Sequence, residues 1–353
     1  MAQLARYPDL FTHRKQSVLP KYAQHAIHAL GRVEGSGVGA VDEIEAFRTA
    51  LEMLDPKLIA PAGIQIRDIG GINYSWDHAG EDPSDFSGAG LRAPTDYGWF
   101  LQFHGDGFKR EAALKHLDGP PRSPFEFVSI VYRMNDWVAQ VRAAALDYGA
   151  QYFPRMDHDV AGRAAFFLLL RMQMFARWDD RAFKCVEDTL YRRDVLVFIQ
   201  QQLRDKADGP VTAVLRRVMQ RPDLDECLPE LAAQAKSAAV RSCATDFLLN
   251  GRAQWANGYK RVWVDKVHGV SRLMPDLQQR PLSISVDIRD CMDRASRDRS
   301  AKVRKIVASA LIARLGNRAD WHDAIAARLK SDPNQGVASR MEFYFRKLAS
   351  GGV

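Results

Sequence analysis

The 353-residue sequence has no run of about 18 uninterrupted apolar residues, the length that a membrane-spanning helix requires. Its longest apolar run, residues 164–170, stops at Arg171. The first nine residues contain no apolar stretch of the kind that a secretory signal peptide carries. These absences predict a protein that has no membrane partner and is located in the cytoplasm.

Cysteine is scarce, and the sequence lacks the motifs of common catalytic centres. The four cysteines include no C-x-x-C pair, so neither a zinc knuckle nor a dithiol redox motif is indicated. Buried, reduced thiols are the simplest interpretation. No G-x-S-x-G, no H-E-x-x-H and no Cys–His frame is present. The sequence therefore predicts no cofactor and no metal, and it favours a protein that is not an enzyme.

Three short segments resemble functional motifs, and a structural interpretation is favoured for each. Residues 35–39 (GSGVG) resemble part of a phosphate-binding loop, but a predicted helix precedes them where a strand is needed, which favours a linker. Residues 156–159 (MDHD) offer metal-ligand side chains, and a helix-opening turn explains them. The paired carboxylates at 179–180 suit the start of a helix.

The positive charge is concentrated in the second part of the chain. Fifty Lys and Arg residues face 43 Asp and Glu residues, which gives a net charge of +7. Residues 1–100 carry 9 basic and 13 acidic residues, whereas residues 101–353 carry 41 and 30. This balance allows an anionic partner, although a solvated surface rich in arginine is the favoured explanation.

The residue pattern divides the chain into three regions. Residues 1–59 show helical periodicity and form a predicted helical N-terminal region. Residues 60–98 are rich in Gly and Pro and are predicted to be irregular, with one short strand over residues 64–69. Residues 99–353 form the third region, whose helical segments have short separators. The predicted helices of this region include residues 131–148, 161–177, 181–205, 211–220, 225–235, 238–249, 252–268, 287–297, 301–315, 321–329 and 336–349. The predicted fold class is all-α.

An internal repeat runs through this third region. An apolar residue beside an arginine, followed by small residues at helical spacing, recurs around five positions. These are Arg110, Arg142, Arg241, Arg304 and Arg340. Their steps are 32, 99, 63 and 36 residues, which fit units of about 33 residues if 99 represents three units and 63 represents two.

Polar residues accompany the arginines at a fixed distance. Asp136, Asp298 and Asn334 each lie six residues before an arginine of the repeat. An arginine head could bond to a carboxylate or a carbonyl at the turn that opens its helix. We therefore predict a polar ladder that bridges the turn of each unit.

The segments 106–114, 135–145 and 299–304 resemble the second helix of HEAT repeats. Each has a small residue or Asp, then an apolar residue near an Arg, and two continue with alanines. This resemblance implies an α-solenoid of HEAT-like helical hairpins over residues 99–353, in an uncharacterised bacterial-type group. Such solenoids bind macromolecular partners on a concave face.

One predicted helix, residues 252–268, interleaves aromatic and basic residues. Tyr259, Trp263 and Lys266 share one face at helical spacing, and Lys260 and Arg261 lie between them. Such a face could stack on bases and hold phosphates, or it could be a core stripe edged by lysine. The arginine pairs Arg192–Arg193 and Arg216–Arg217 add positive charge.

Two functions are compatible with this pattern. The first is a non-enzymatic interaction protein, a scaffold that binds a protein partner through the concave face of the solenoid. The alternative is a nucleic-acid-binding solenoid. The HEAT-like alkylpurine DNA glycosylases are similar in being basic and helical, and residues 263–265 (WVD) resemble the Trp and Asp of their groove. No catalytic residue is carried over from that resemblance.

Overall fold

The computed structural model describes residues 17–33, 41–73 and 95–350. This part of the chain is predominantly helical and contains one antiparallel pair of strands. The chain divides into two compact units, Met1–Leu190 and Tyr191–Val353, which are described separately. Every helix of the described ranges is too short or too polar to cross a lipid bilayer.

The first unit contains nine α-helices within its described residues. They are α1 Lys21–Val33, α2 Val41–Glu52, α3 Ile59–Gly70, α4 Gly98–Leu101, α5 Gly107–His116, α6 Pro124–Arg133, α7 Ala139–Tyr152, α8 His158–Leu168 and α9 Asp180–Leu190. Local sequence explains several boundaries. Ser123 caps α6 by accepting a hydrogen bond from the backbone N–H of Glu126, and Pro124 occupies the first turn, where its missing N–H costs nothing.

Residues 191–350 of the second unit contain eight α-helices and two strands. They are α10 Arg193–Asp205, α11 Val211–Val218, α12 Leu228–Gln234, α13 Ala238–Asn250, β1 Arg252–Asp265, β2 Val270–Pro281, α14 Ile288–Ala295, α15 Ala301–Ala313, α16 Asp320–Lys330 and α17 Gln335–Ala349. Gly251 ends α13 with a left-handed φ of 62°, which a glycine adopts without strain. The chain then enters β1 directly.

The prediction of a helix over residues 252–268 was wrong, because this segment forms β1 and the turn after it. Tyr259, Val262, Trp263 and Val264 are residues that favour a strand. Their partner strand β2 comes from sequence further along the chain, and it contains Pro275. The all-α prediction is therefore correct for most of the described chain and wrong for residues 252–281, which we call the β-hairpin.

The predicted strand over residues 64–69 was also wrong, because these residues lie inside α3. Ile59, Ala62 and Ile66 are buried at spacings of three and four residues, as one helix face requires. Helix α3 runs across the predicted boundary between residues 59 and 60. The Gly-rich segment 35–39 and most of the Gly/Pro-rich segment lie outside the described residues, so the division into residues 1–59, 60–98 and 99–353 stays a prediction.

Helices α1 and α3 cross at two glycines. A β-carbon placed on Gly31 would overlap the carbonyl oxygen of Gly70 and would lie 2.6 Å from its carbonyl carbon. A β-carbon on Gly70 would lie 2.6 Å from the ring of Phe100. The backbone of α1 can therefore approach Gly70 this closely only because Gly31 lacks a side chain, and the absence of a side chain at Gly70 leaves room for the Phe100 ring.

Candidate interaction sites

Four arginines of the repeat occupy the same position, which is the fourth residue of a helix. They are Arg110 in α5, Arg142 in α7, Arg241 in α13 and Arg304 in α15. In each, Nη1 donates a hydrogen bond to the backbone carbonyl six residues earlier, at 2.7–2.9 Å. This bond holds the guanidinium over the turn that opens its own helix.

Three of these arginines also bind an aspartate through two parallel hydrogen bonds from Nε and Nη2. The pairs are Arg110–Asp136 at 3.0 and 2.9 Å, Arg241–Asp298 at 2.7 and 3.0 Å, and Arg304–Asp332 at 2.5 and 2.9 Å. Each aspartate lies three residues before the first residue of α7, α15 or α17. It also accepts the backbone N–H two residues further on. We call each Arg–Asp pair a rung.

The β-hairpin explains an irregular step in the repeat. The rungs join residues 26, 57 and 28 positions apart. The long rung, from Arg241 to Asp298, encloses the β-hairpin, which runs from Arg252 to Pro281. Without those 30 residues, this separation becomes 27. The 63-residue step to Arg304 is therefore one unit with an insertion, and the prediction of two units was wrong.

Arg340 and Asn334 do not form a rung. The fourth residue of α17 is Ala338, and Arg340 follows two positions later. Its Nη1 donates to the carbonyl of Gly336, and its Nε lies 3.3 Å from Oγ of Ser309. Asn334 caps α17 through the backbone N–H of Gly336. Asp332, which the sequence analysis missed, is the partner of Arg304, and its position three residues before a helix is the signal that identifies it.

Two of the rungs lower the pKa of their aspartates, Asp298 and Asp332. The hydrogen bond from Arg304 lowers the pKa of Asp332 below its ordinary value of 3.8. Burial acts to raise the pKa of Asp298, but hydrogen bonds from Arg241 and the backbone of Ser300 outweigh it, so this pKa is lowered too. Each carboxylate therefore stabilises the fold while it is charged.

We expect this stabilisation to be present above about pH 4 and to be lost as the pH falls through the lowered folded-state pKa values. The variant Asp332→Asn should lose stability at pH 7 and should show a weaker loss between about pH 4 and pH 2 than the wild type. Urea unfolding midpoints across this pH range measure the effect. Asp188→Asn, at an exposed pair with Lys184, is the control and should leave the pH profile unchanged. Parallel profiles for Asp332→Asn and the wild type would contradict the prediction.

The β-hairpin presents an apolar face to solvent. Tyr259 pairs with Pro275, Arg261 with Leu273 and Trp263 with Ser271, so these side chains lie on one face of the two-stranded sheet. Tyr259 is 74% exposed, Trp263 51% and Leu273 68%. Leu277 continues this face along β2 and is 51% exposed. We call Tyr259, Trp263, Leu273 and Leu277 the apolar face.

The opposite face of the β-hairpin is more polar. Lys260 lies opposite Met274, and its Nζ is 2.8 Å from a carboxylate oxygen of Asp276. Val262 lies opposite Arg272 on the same face. Over residues 252–281, six Lys and Arg residues outnumber two Asp residues. The β-hairpin is therefore positively charged as well as apolar.

The base of the β-hairpin is fixed to the helices of the second unit. Arg280 donates two hydrogen bonds, of 2.9 and 2.6 Å, to the fully buried carboxylate of Asp225. Arg216 donates to the carbonyl of Gln254 at 2.8 Å and lies 5.5 Å from the ring of Phe247. Ala253 is fully buried. The base is anchored on both strands, and the segment beyond it is exposed.

The structure brings together only some of the predicted binding residues. Tyr259, Arg261 and Trp263 share a face, Lys260 lies on the other face, and Lys266 lies in the turn between the strands. The remaining predicted residues belong to the helical part. Arg216 anchors the β-hairpin base, Arg217 bonds to Gln220, Arg192 pairs with Asp194, and Arg193 begins α10. The binding role of all these residues stays a prediction.

The described residues contain no group of three or more His, Cys, Asp or Glu side chains that could hold a metal ion. All four cysteines are free thiols. Burial raises the pKa of Cys185 and of Cys243 to about 11, so both remain protonated at neutral pH. Neither thiol is therefore a thiolate, the nucleophilic form, at neutral pH.

No model of a known protein family matches this chain, and no curated protein matches it significantly.

Proposed function

We propose that this protein is a non-enzymatic interaction protein, a cytoplasmic solenoid of HEAT-like helical hairpins that binds a partner protein through its β-hairpin. The observation that carries this proposal is the apolar face, where Tyr259, Trp263, Leu273 and Leu277 are all at least half exposed. The proposal keeps the scaffold role predicted from the sequence and moves the contact surface from the concave face to the β-hairpin.

Physical chemistry favours a binding role for this surface. A contiguous apolar patch of large side chains in water is unfavourable, and such patches characteristically mark interaction sites. The base of the β-hairpin makes the anchoring contacts to the helices, from Arg280 to Asp225 and from Arg216 to the carbonyl of Gln254. A two-stranded hairpin is also marginally stable alone, so a partner that covers the apolar face would stabilise it.

The charge indicates the chemistry of the partner. Six basic and two acidic side chains on the β-hairpin favour a partner surface that carries carboxylates around an apolar centre. Aromatic and arginine side chains are the residue types that contribute most binding energy in protein interfaces. Tyr259, Arg261 and Trp263 supply both types on one face.

The positive charge also supports a second candidate, binding to nucleic acid. A two-stranded β-ribbon fits the major groove of B-DNA, and lysine and arginine can contact the phosphates beside it. The tripeptide at residues 263–265, which resembles part of a DNA glycosylase groove, lies at the outer end of β1. Its exposed strand position differs from the helix that the sequence indicated.

The decisive experiment compares variants of the two faces of the β-hairpin. The full chain is isolated with its bound partners from the cells that produce it, and each recovered protein is then titrated calorimetrically against purified variants. We expect Tyr259→Ser/Trp263→Ser to weaken binding at least about tenfold. The matched pair Val262→Ser/Met274→Ser, on the other face, should change the affinity by less than about threefold.

Binding of duplex DNA over a range of salt concentrations tests the second candidate. A steep decrease in affinity with salt, together with loss of binding in Lys260→Glu/Arg261→Glu, would replace the protein partner with nucleic acid. Equal affinity of both face variants for the recovered protein would remove the apolar face as the contact surface.

A further inference from the structure

One position of the ladder in the first unit has no carboxylate. In the three complete rungs the aspartate lies three residues before the first residue of a helix, which is α7 for Asp136, α15 for Asp298 and α17 for Asp332. The residue at the corresponding position before α9 is Arg177. By the geometry of the three complete rungs, a carboxylate at this position would bind the arginine two helices earlier, Arg142 in α7. Helices α7 and α9 pack against each other, as α5 packs against α7.

Arg142 is held like the other ladder arginines. Its Nη1 donates to the carbonyl of Asp136 at 2.9 Å and lies 3.3 Å from the carbonyl of Trp137. No carboxylate contacts Arg142 anywhere in residues 17–33, 41–73 and 95–350. Its Nε and Nη2, which bind the aspartate in each complete rung, therefore have no acceptor from this part of the chain. We call this position the open rung.

The surroundings of the open rung are positive and partly apolar. Arg177 is exposed, and its backbone N–H donates to Oδ1 of Asn135. The Trp137 side chain is 72% exposed. Asp136 is engaged by Arg110 and Arg133, and Asp179, two residues after Arg177, accepts the backbone N–H of Ala182. Arg142 and Arg177 supply the positive charge at this position.

We propose that the open rung, formed by Arg142 and Arg177 beside Trp137, binds an aspartate or glutamate side chain of a partner protein. This inference rests on the proposed function, and it adds a second contact site with a defined chemistry. The fork of an arginine matches a carboxylate in two parallel hydrogen bonds. In each of the three complete rungs, an arginine anchored in this way binds an aspartate.

A protein carboxylate suits this site better than a nucleic-acid phosphate. The position replaces an aspartate side chain, and the backbone carbonyl of Trp137 lies 3.3 Å from Nη1 of Arg142, so that this exposed tryptophan adjoins the site with an apolar side chain. Phosphate binding by nucleic acid requires several basic groups along a backbone, and the open rung supplies two, Arg142 and Arg177.

The first test titrates the full chain with a dye-labelled hexapeptide of alternating aspartate and leucine and follows fluorescence anisotropy. We expect saturable binding that weakens about tenfold in Arg142→Gln, the loss expected when hydrogen bonds to a charged group are removed. Arg177→Asp should weaken it similarly, because the new carboxylate occupies the fork. Arg163→Gln, an exposed arginine of the same unit, is the charge-matched control and should stay within about twofold.

Two further arms separate this inference from the proposed function. The variant Tyr259→Ser/Trp263→Ser should bind the peptide like the wild type, since it changes only the β-hairpin. Loss of peptide binding in that variant, or no saturable binding at all, would overturn the open rung as a carboxylate site. Stronger competition by a DNA duplex than by unlabelled peptide would also overturn it and would assign the site to phosphate.

The second test measures stability without a ligand. Arg177→Asp should complete the rung and lower the unfolding equilibrium constant about fivefold in urea titrations. The gain should disappear in the Arg142→Gln background, because the carboxylate then has no fork to bind. An equal effect of Arg177→Asp in both backgrounds would show that position 177 does not face Arg142, and the inference would fail.

Discussion

Replacing Asp136 with asparagine should lower the free energy of unfolding by about 3–5 kcal/mol. Its carboxylate, 2% exposed, accepts two hydrogen bonds from Arg110 and one from Arg133, and it also accepts the backbone N–H of Val138. The Arg110 side chain is 3% exposed. The neutral amide leaves two positive charges without a counter-charge, one of them fully enclosed, and this loss exceeds the net value of the pair.

Urea unfolding followed by circular dichroism measures this change. Asp159→Asn is the matched control, because Asp159 pairs with Arg163 on the surface and its loss should change stability by less than about 1 kcal/mol. The double variant Arg110→Met/Asp136→Met removes both charges and should recover part of the loss. Equal losses for Asp136→Asn and Asp159→Asn would contradict a buried rung.

A single methyl group at Gly31 should destabilise the first unit by about 2 kcal/mol. Alanine in place of glycine within a helix ordinarily stabilises by about 0.5–1 kcal/mol, so the expected effect has the opposite sign. The reason is the crossing of α1 and α3, where the added β-carbon would overlap the backbone of Gly70. Backbone atoms cannot rotate away, so the two helices have to separate.

Gly149→Ala provides the comparison for this prediction. The β-carbon at position 149 would lie 2.5 Å from the terminal methyl of Met134, and a flexible methionine can move aside. We expect that variant to change stability by less than about 1 kcal/mol in the same urea titration. A stabilising Gly31→Ala would show that α1 and α3 do not cross at these glycines.

The sequence predicted four of the ladder arginines and named Asp136 and Asp298, but it related each aspartate to the arginine six residues later, whereas the carboxylates bind Arg110 and Arg241. The two kinds of pairing depend on different distances along the chain. The pattern of an apolar residue beside an arginine lies within one helix, so it can be recognised in the sequence. The aspartate of each rung comes from the next unit, 26 to 57 residues away, and only the packed helices bring it to its arginine. The residues six positions earlier contribute their backbone carbonyls.

The β-hairpin shows that one residue spacing can fit both a helix and a strand. Tyr259 and Trp263 are four residues apart, a distance that places two side chains on one face of a helix and also on one face of a strand. Lys266 is seven residues from Tyr259, which fits only the helix, and it lies in the turn. The segment forms a strand because it pairs with residues 270–281, and the pattern of residues 252–268 alone does not indicate that partner strand.

The long rung has a consequence for protein engineering. Arg241 and Asp298 meet as they would in an uninterrupted unit, so the 30 residues between Arg252 and Pro281 leave the connection of α13 to α15 intact. The turn over residues 266–269 therefore provides a grafting point, where a foreign epitope or a small reporter can be displayed without altering the helices beneath.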